Sequence, residues 1–391
     1  MPRSRLGYDD VALVAPVTVP YVRYSIRAGH WFVARALSLL LERSGLAKAE
    51  VDGACVSSFT LAPDSAIGLM QHIGLSPRWL DWLPVGGASG VAALRRAARA
   101  VQAGDADVVA CIAADTNHVD SFRLTLSNFS MFARDAVYPY GAGGPNASFA
   151  FLTDHYMRTY GATREDFGKL CVAQRDNAQL NPGALFRGKR LTMAEYLDAR
   201  PIAEPLGLFD CVMPCAGADA FLVMRTQRAR DLGLPHARLL GTIERHNGFP
   251  EDPIQFRGGW AMDRDDLYAQ AGVAPADVDL FQPYDDYPVI TLMQVEDLGF
   301  CDKGEGPAFV RANSFTWDGS FPLNTSGGQL SAGQAGCAGG YIGLVETIRQ
   351  LTGEAGARQV PDAKVGLVSG FGMINFDRGL ASGAALLGRA D

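Results

Sequence analysis

The chain has no basic run interleaved with aromatics, no apolar stretch near the ~18 residues of a membrane-spanning helix, and no disulfide-type cysteine spacing. The first absence, with 35 Lys plus Arg against 42 Asp plus Glu and a net charge of −7, argues against a nucleic acid as the main partner. The second sets the expectation of no membrane span. Seven cysteines, an odd number, are scattered through apolar surroundings, and Cys211 and Cys215 lack the second pair or nearby histidine that a zinc site needs. Free thiols, no metal and a polar Met1–Asp10 stretch without an apolar core predict a cytoplasmic protein. Gly86 and Gly87 are not part of a G-x-G-x-x-G or Walker pattern, so a phosphate-cradling loop is set aside.

What is present is a large globular protein. At 391 residues it exceeds an average domain of ~150 two- to threefold, and its 48% hydrophobic and 20% charged residues suit a packed core. The pattern predicts a strand from Asp10 to Pro16 and a helix from Gly29 to Ser44 stopped by Gly45. It continues with a strand over Val51–Val56, a helix over Val91–Ala103 stopped by Gly104, and a strand over Asp107–Ala113. Uniformly apolar strands alternating with helices indicate an α/β protein with a parallel sheet covered on both faces. The order then recurs. Leu41–Asp52 and Tyr268–Asp279 share Gly45/Gly272, Ala47/Ala274, Ala49/Ala276, Val51/Val278 and Asp52/Asp279 at a single offset of 227. A strand at Leu280, a helix over Ala338–Leu351, Gly353 and a strand over Lys364–Ser369 follow. A period above 200 residues is a domain duplication, giving an N-terminal half 1–235 and a C-terminal half 236–391. Residues 115–235 read as less regular, with a loop insertion at about 115–200. In that insertion Arg187, Lys189 and Arg190 form a basic patch, either an ordinary solvated loop or a contact for the phosphates of an acyl carrier.

Several motifs fall in a fixed order: Gly86–Gly90 before a helix, Pro201–Leu206, Phe209–Asp210, Cys215–Ala220, Tyr284–Tyr287, Gly304–Gly306, Asn324–Gly328 and Ser369–Gly372. In that order they resemble the thiolase superfamily, in its sterol-carrier-protein-type, lipid-transfer branch. The resemblance covers nearly the whole chain. It implies a duplicated thiolase fold of five layers, α-β-α-β-α, and a dimer.

The same resemblance locates four catalytic positions, and all four are replaced. The nucleophilic cysteine position is Gly87, the His or Asn of the H-D-A-F or N-E-A-F motif is Tyr284, the G-H-P histidine is Gln334, and the second cysteine is Ser369. Without a thiolate at position 87 there is no acyl-cysteine, and a serine hydroxyl is a poor base for an α-proton. The six histidines lie outside every motif. The chain is similar to the steroid side-chain aldolases of the branch, through Tyr284–Tyr287, Gly328–Ser331 and Gln294–Gly306. This likeness implies retro-aldol cleavage of a β-hydroxyacyl-CoA, with Tyr284 as the base for the hydroxyl and backbone N–H groups of a Gly370–Gly372 loop on the thioester oxygen. Those aldolases carry a second tyrosine where this chain has Gln334, which can donate a hydrogen bond but transfers no proton. Tyr341, seven residues on, would sit ~10 Å along the helix. Tyr287 would face the site only if its strand becomes irregular, because i and i+3 point to opposite faces.

Plainer roles stand beside these. Tyr284 can be a structural tyrosine, Asp285 an anchor accepting backbone N–H bonds, Asn324 a turn residue, and Ser369 a packing replacement. Supporting site roles are assigned to Gln334, Asn324, Ser369, Gly372 and Gly87. The expected substrate is an acyl-CoA, with no cofactor beyond the CoA it carries. The resemblance also implies a small OB-fold/zinc-ribbon partner that binds the CoA end. Two other functions remain open: a cysteine-free acyltransferase, and a non-catalytic subunit that binds acyl-CoA or lipid.

Overall fold

The computed structural model describes residues 7–61, 66–118, 131, 134–141, 144–375 and 378–390. Parts of Met1–Asp10 and of the 115–200 insertion therefore lie outside the described residues. In chain order the strands are β1 Val11–Val22, β2 Gly53–Ser57, β3 Trp79–Trp82, β4 Val108–Asp115, β5 Pro201–Ala203, β6 Leu206–Gly207, β7 Ala216–Arg225, β8 His236–His246, β9 Leu280–Gln282, β10 Val365–Ile374 and β11 Gly379–Arg389.

Nine of them form one sheet in the order β3-β2-β4-β7-β1-β8-β11-β10-β9, with β5 and β6 as a separate ribbon. The order is mirrored about the β1–β8 junction: β2-β4-β7-β1 on one side answers β9-β10-β11-β8 on the other. Leu323, bridged in parallel to Phe281 of β9, stands where β3 stands in the first half. This is the duplication expected from the offset of 227, with one addition. The pairing of Ala12–Val14 with His236–Arg238 joins the two half-sheets edge to edge.

Two helices, Ser89–Ala103 and Gly339–Leu351, fill the space between the half-sheets and supply much of the central core. They cross where neither has a side chain. A Cβ on Gly90 would lie 2.0 Å from the Gly340 carbonyl oxygen, so only glycine permits this approach. The helix Gly29–Ser44 covers the outer face of the first half and Trp260–Ala271 that of the second. With the central helices, these make five layers.

Helix bounds follow the sequence closely, because glycines in left-handed conformation stop the chain at Gly45, Gly104 and Gly272. Three expectations are corrected. The sheet is mixed rather than parallel: β2 runs parallel to β3 and β4, and β9 to β10, but the central pairs β4–β7, β7–β1, β1–β8, β8–β11 and β11–β10 are antiparallel. The first strand does not end at Pro16. A register shift between Val14 and Val17 takes up the proline as a bulge, and β1 runs on to Val22. Residues 115–235 are not irregular throughout. They hold the helices Gly144–Tyr160 and Arg164–Gln179, and β7, which is buried almost throughout and pairs with both β1 and β4.

Candidate active site

Motifs from both halves and from the insertion converge on a cavity of ≈ 780 Å³. Its floor holds Gly86 and Gly87, in the tight turn Gly86–Ala88 that opens the helix Ser89–Ala103. Tyr284 and Phe371 face that turn from the second half. A Cβ on Gly87 would lie 1.8 Å from Cε2 of Tyr284 and 2.4 Å from the Phe371 carbonyl oxygen. The tyrosine ring therefore occupies the volume that a cysteine side chain at position 87 would need.

The segment that carries Tyr284 is bracketed by prolines. Strand β9 ends at Gln282, Pro283 offers no N–H to a neighbouring strand, and Pro288 opens the buried helix Pro288–Asp297. Between them the chain is irregular, which brings Tyr284, Asp286 and Tyr287 together onto the cavity wall. The condition set for Tyr287 is thus met. Gln294 holds the backbone of Tyr284 at both ends: its Oε1 accepts from the Tyr284 N–H at 3.1 Å, and its Nε2 donates to the Tyr284 carbonyl at 2.7 Å. Ser369 donates to the same Oε1 at 2.6 Å. Ser369 lies outside the cavity lining and acts on Tyr284 through Gln294.

The Tyr284 hydroxyl donates to Oδ2 of Asp286 at 2.7 Å. Burial raises the Asp286 carboxyl to about 6, against the opposing pull of this hydrogen bond. Burial, then the negative charge of Asp286, pushes the Tyr284 phenol well above its ordinary range, and the same two causes act in the same order on Tyr287. Asp286 was given no role in the sequence reading, although residues i and i+2 of an extended segment share a side and the spacing was there to be used. Tyr287 stacks on Phe149, with ring centroids 4.2 Å apart, and donates to Oδ1 of Asn146 at 2.5 Å.

The other carboxylates are committed elsewhere. Asp285 accepts from the backbone N–H groups of Gln329 and Leu330 at 2.9 and 3.3 Å, the anchor expected of it. Asp115 lines the cavity and accepts from Ser58, Thr60 and the N–H groups of Phe59, Thr60 and Cys337.

The remaining expected residues divide. Gly87, Gly372, Gln334 and Tyr284 line the cavity; Asn324, Ser369, Arg187, Lys189 and Arg190 do not. Asn324 is buried at a turn in left-handed conformation, φ 44°. Arg187, Lys189 and Arg190 are exposed on their loop, whereas the cations on the cavity wall are Arg23, Arg175 and Arg200. Gly370–Gly372 is not a loop but part of β10, paired residue by residue with β11, because the expected strand runs five residues beyond Ser369. Tyr341 is fully buried in its helix beside Ser57, away from the cavity. Two thiols reach the wall. Burial pushes Cys211 up to about 12 and Cys215 still higher, so neither offers a thiolate.

Residues 261–381 match the family model described as "Thiolase C-terminal domain-like". The "17-hydroxy-3-oxo-4-pregnene-20-carboxyl-CoA lyase" of Mycobacterium tuberculosis is 33% identical over 88% of this chain and 92% of its own. The chain belongs to the thiolase superfamily, in its lipid-transfer branch. The "Steroid side-chain-cleaving aldolase" of Thermomonospora curvata is 32% identical over 79% of the chain and 82% of its own length. The solved "Ltp2-ChsH2(DUF35) aldolase" superposes with a TM-score of 0.83 at 28% identity, covering 97% of this chain and 98% of that one. These relatives bear out the expected thiolase fold and the reading of a thiolase-like enzyme of the aldolase type. Among the described residues no helix is long and apolar enough to cross a membrane, and no cluster of His, Cys, Asp and Glu could hold a metal ion.

Proposed function

We propose that the chain is a carbon–carbon lyase that splits a bulky β-hydroxyacyl-CoA by a retro-aldol reaction, without an acyl-enzyme. The observation that carries this is the Tyr284 ring in the space of a position-87 side chain, with its hydroxyl on Asp286 inside the cavity. The names of the two curated relatives suggest a steroid side chain as the acyl group. A ≈ 780 Å³ cavity with Phe59, Phe149, Phe186, Phe209 and Phe371 on its wall has the size and apolar character for a fused-ring skeleton.

In this mechanism the β-hydroxyl gives its proton to Tyr284 Oη as the phenol passes its own to Asp286 Oδ2. The Cα–Cβ bond breaks, Cβ becomes a ketone or aldehyde carbonyl, and the electron pair moves onto the thioester enolate. The N-terminal turn at Gly86–Gly87, at the positive end of its helix, and the Gln334 amide favour the enolate oxygen. Tyr287 protonates Cα, and the proton left on Asp286 returns to it through water in the cavity, so the net change is one proton moved from oxygen to carbon. The scheme calls on no cofactor beyond the CoA carried by the substrate.

Arg23 and Arg200, exposed at the cavity wall, suit the CoA phosphates, with the 187–190 loop as a further contact. We also propose a cytoplasmic homodimer whose two halves divide at 235/236, working with an OB-fold/zinc-ribbon partner. The decisive assay incubates the purified protein with a β-hydroxyacyl-CoA and follows the products by mass spectrometry. A free ketone or aldehyde plus a shortened acyl-CoA is expected. An intact thioester after incubation, with and without the co-purified partner, overturns the reading.

A further inference from the structure

Only two arginines among the described residues are buried to 5% exposure, Arg175 and Arg358. Arg358 meets both oxygens of Glu346, at 2.9 and 2.7 Å. Arg175 has no carboxylate. Its Nε donates to the Ser331 hydroxyl at 2.9 Å and its Nη1 to the Lys189 carbonyl at 3.3 Å. That leaves three of the five guanidinium N–H groups without a partner among the described residues. The side chain lines the cavity with its guanidinium over Phe186, 4.3 Å from the ring centroid, and 5.8 Å from that of Phe209.

A guanidinium taken out of water without a counter-charge is costly. Burial weakens the hold of Arg175 on its proton, against a smaller opposing pull from Cys171 and Glu195. The rigid planar fork presents its free donors beside two aromatic faces, the geometry that receives a planar carboxylate in two hydrogen bonds. Two acidic groups reach it by charge, the buried Cys171 thiol, which burial keeps protonated, and the Glu195 carboxylate. Glu195 is exposed and is committed to Thr192, whose N–H and hydroxyl each donate to it at 2.8 Å.

We propose that Arg175 is the anion-binding end of the acyl pocket, and that the substrate carries a carboxylate on its acyl portion, remote from the thioester. The proposal rests on the acyl-CoA reading above and names the class of acyl group. The alternative source of an anion is a CoA phosphate. Exposed Arg23 and Arg200 suit a dianionic group that stays in water, whereas Arg175 is buried.

The test uses two β-hydroxyacyl-CoA thioesters of one skeleton, one ending in a free carboxylate and one in its methyl ester, with CoA alone as the third probe. Calorimetry measures the Kd of each for the wild-type protein, Arg175→Met and Arg175→Lys. The wild type should prefer the carboxylate over the ester by about ten- to a hundredfold, the range of a charge-assisted hydrogen-bond pair. Arg175→Met should bring that ratio to near one, and Arg175→Lys should keep part of it. The lysine variant preserves the charge if the methionine variant fails to fold. Equal affinity of the wild type for both thioesters overturns the proposal. So does a loss of CoA affinity in Arg175→Met as large as the loss for the carboxylate thioester, which would assign the site to a phosphate. Because binding is the readout, a preference for the carboxylate without turnover would sink the lyase reading and leave the anion site standing.

Discussion

Gly87 and Tyr284 share one volume: the ring of the second fills the place where a side chain on the first would stand, 1.8 Å from a Cβ built there. The absent nucleophile and the gained phenol are therefore a single structural exchange. A cysteine at 87 and the tyrosine ring at 284, as placed here, exclude each other.

Substituting Gly87→Ala should cost about 1–3 kcal/mol of stability, the usual penalty for overpacking a filled core. The double variant with Tyr284→Ala should lose less than the sum of the two single variants. Thermal unfolding of all four proteins measures the coupling, and strictly additive losses would show that the two positions do not compete.

Removing one oxygen tests the proton path. Tyr284→Phe keeps the ring in place and should lower kcat by about 10²–10⁴-fold, the range of a general acid–base group, with little change in melting temperature. Comparable activity in the phenylalanine variant would return Tyr284 to the structural role also read from the sequence.

With Asp286 raised to about 6, the carboxylate is protonated at lower pH and cannot take the Tyr284 proton. The kcat/KM profile should rise as pH passes upward through about 6, and Asp286→Asn should remove that limb. The stability sign is the opposite of the usual carboxylate case. The fold favours the neutral form, so the wild type loses stability as pH rises from the ordinary aspartate range to about 6, and Asp286→Asn should melt a few degrees higher at pH 7. An unchanged acid limb in the asparagine variant would move the titration to another group.

Ser369 reaches the site only by holding Gln294, which grips the Tyr284 backbone. Ser369→Ala should therefore lower kcat by less than about tenfold and stability by about 1 kcal/mol, the net value of one hydrogen bond. A fall as deep as that of Tyr284→Phe would mean that the hydroxyl itself meets the substrate.

Intact-protein mass spectrometry after incubation with substrate should find no acyl adduct, and brief iodoacetamide treatment should leave activity in place. Cys211, which burial pushes up to about 12, is a thiol rather than a reactive thiolate at pH 8. A trapped acyl group on any side chain would contradict the non-covalent scheme.

The glycine punctuation at 45, 104 and 272 and the repeat at offset 227 made the helices and the duplication legible without coordinates, because left-handed stops and buried periodicities are local properties, and the resemblance of the ordered motifs made the family legible. The loss of all four catalytic positions was equally plain. The geometry of Tyr284 was not. Whether Tyr284, Asp286 and Tyr287 share a wall depends on where β9 stops and how two prolines bend the chain, and a regular strand would have turned Tyr287 away.

Residue identities and spacing determined that this protein has a two-half α/β architecture, and its resemblance to the thiolases implied that Gly87 stands where they carry the nucleophilic cysteine. Tertiary structure decided the rest. It set a tyrosine ring in the place of that missing side chain, tied Ser369 to it through Gln294, and brought an arginine 175 residues into the chain to the cavity wall without a counter-ion. The reason is physical: backbone punctuation is written between neighbours in sequence, whereas volume exclusion and unpaired charge arise only between groups that folding brings together.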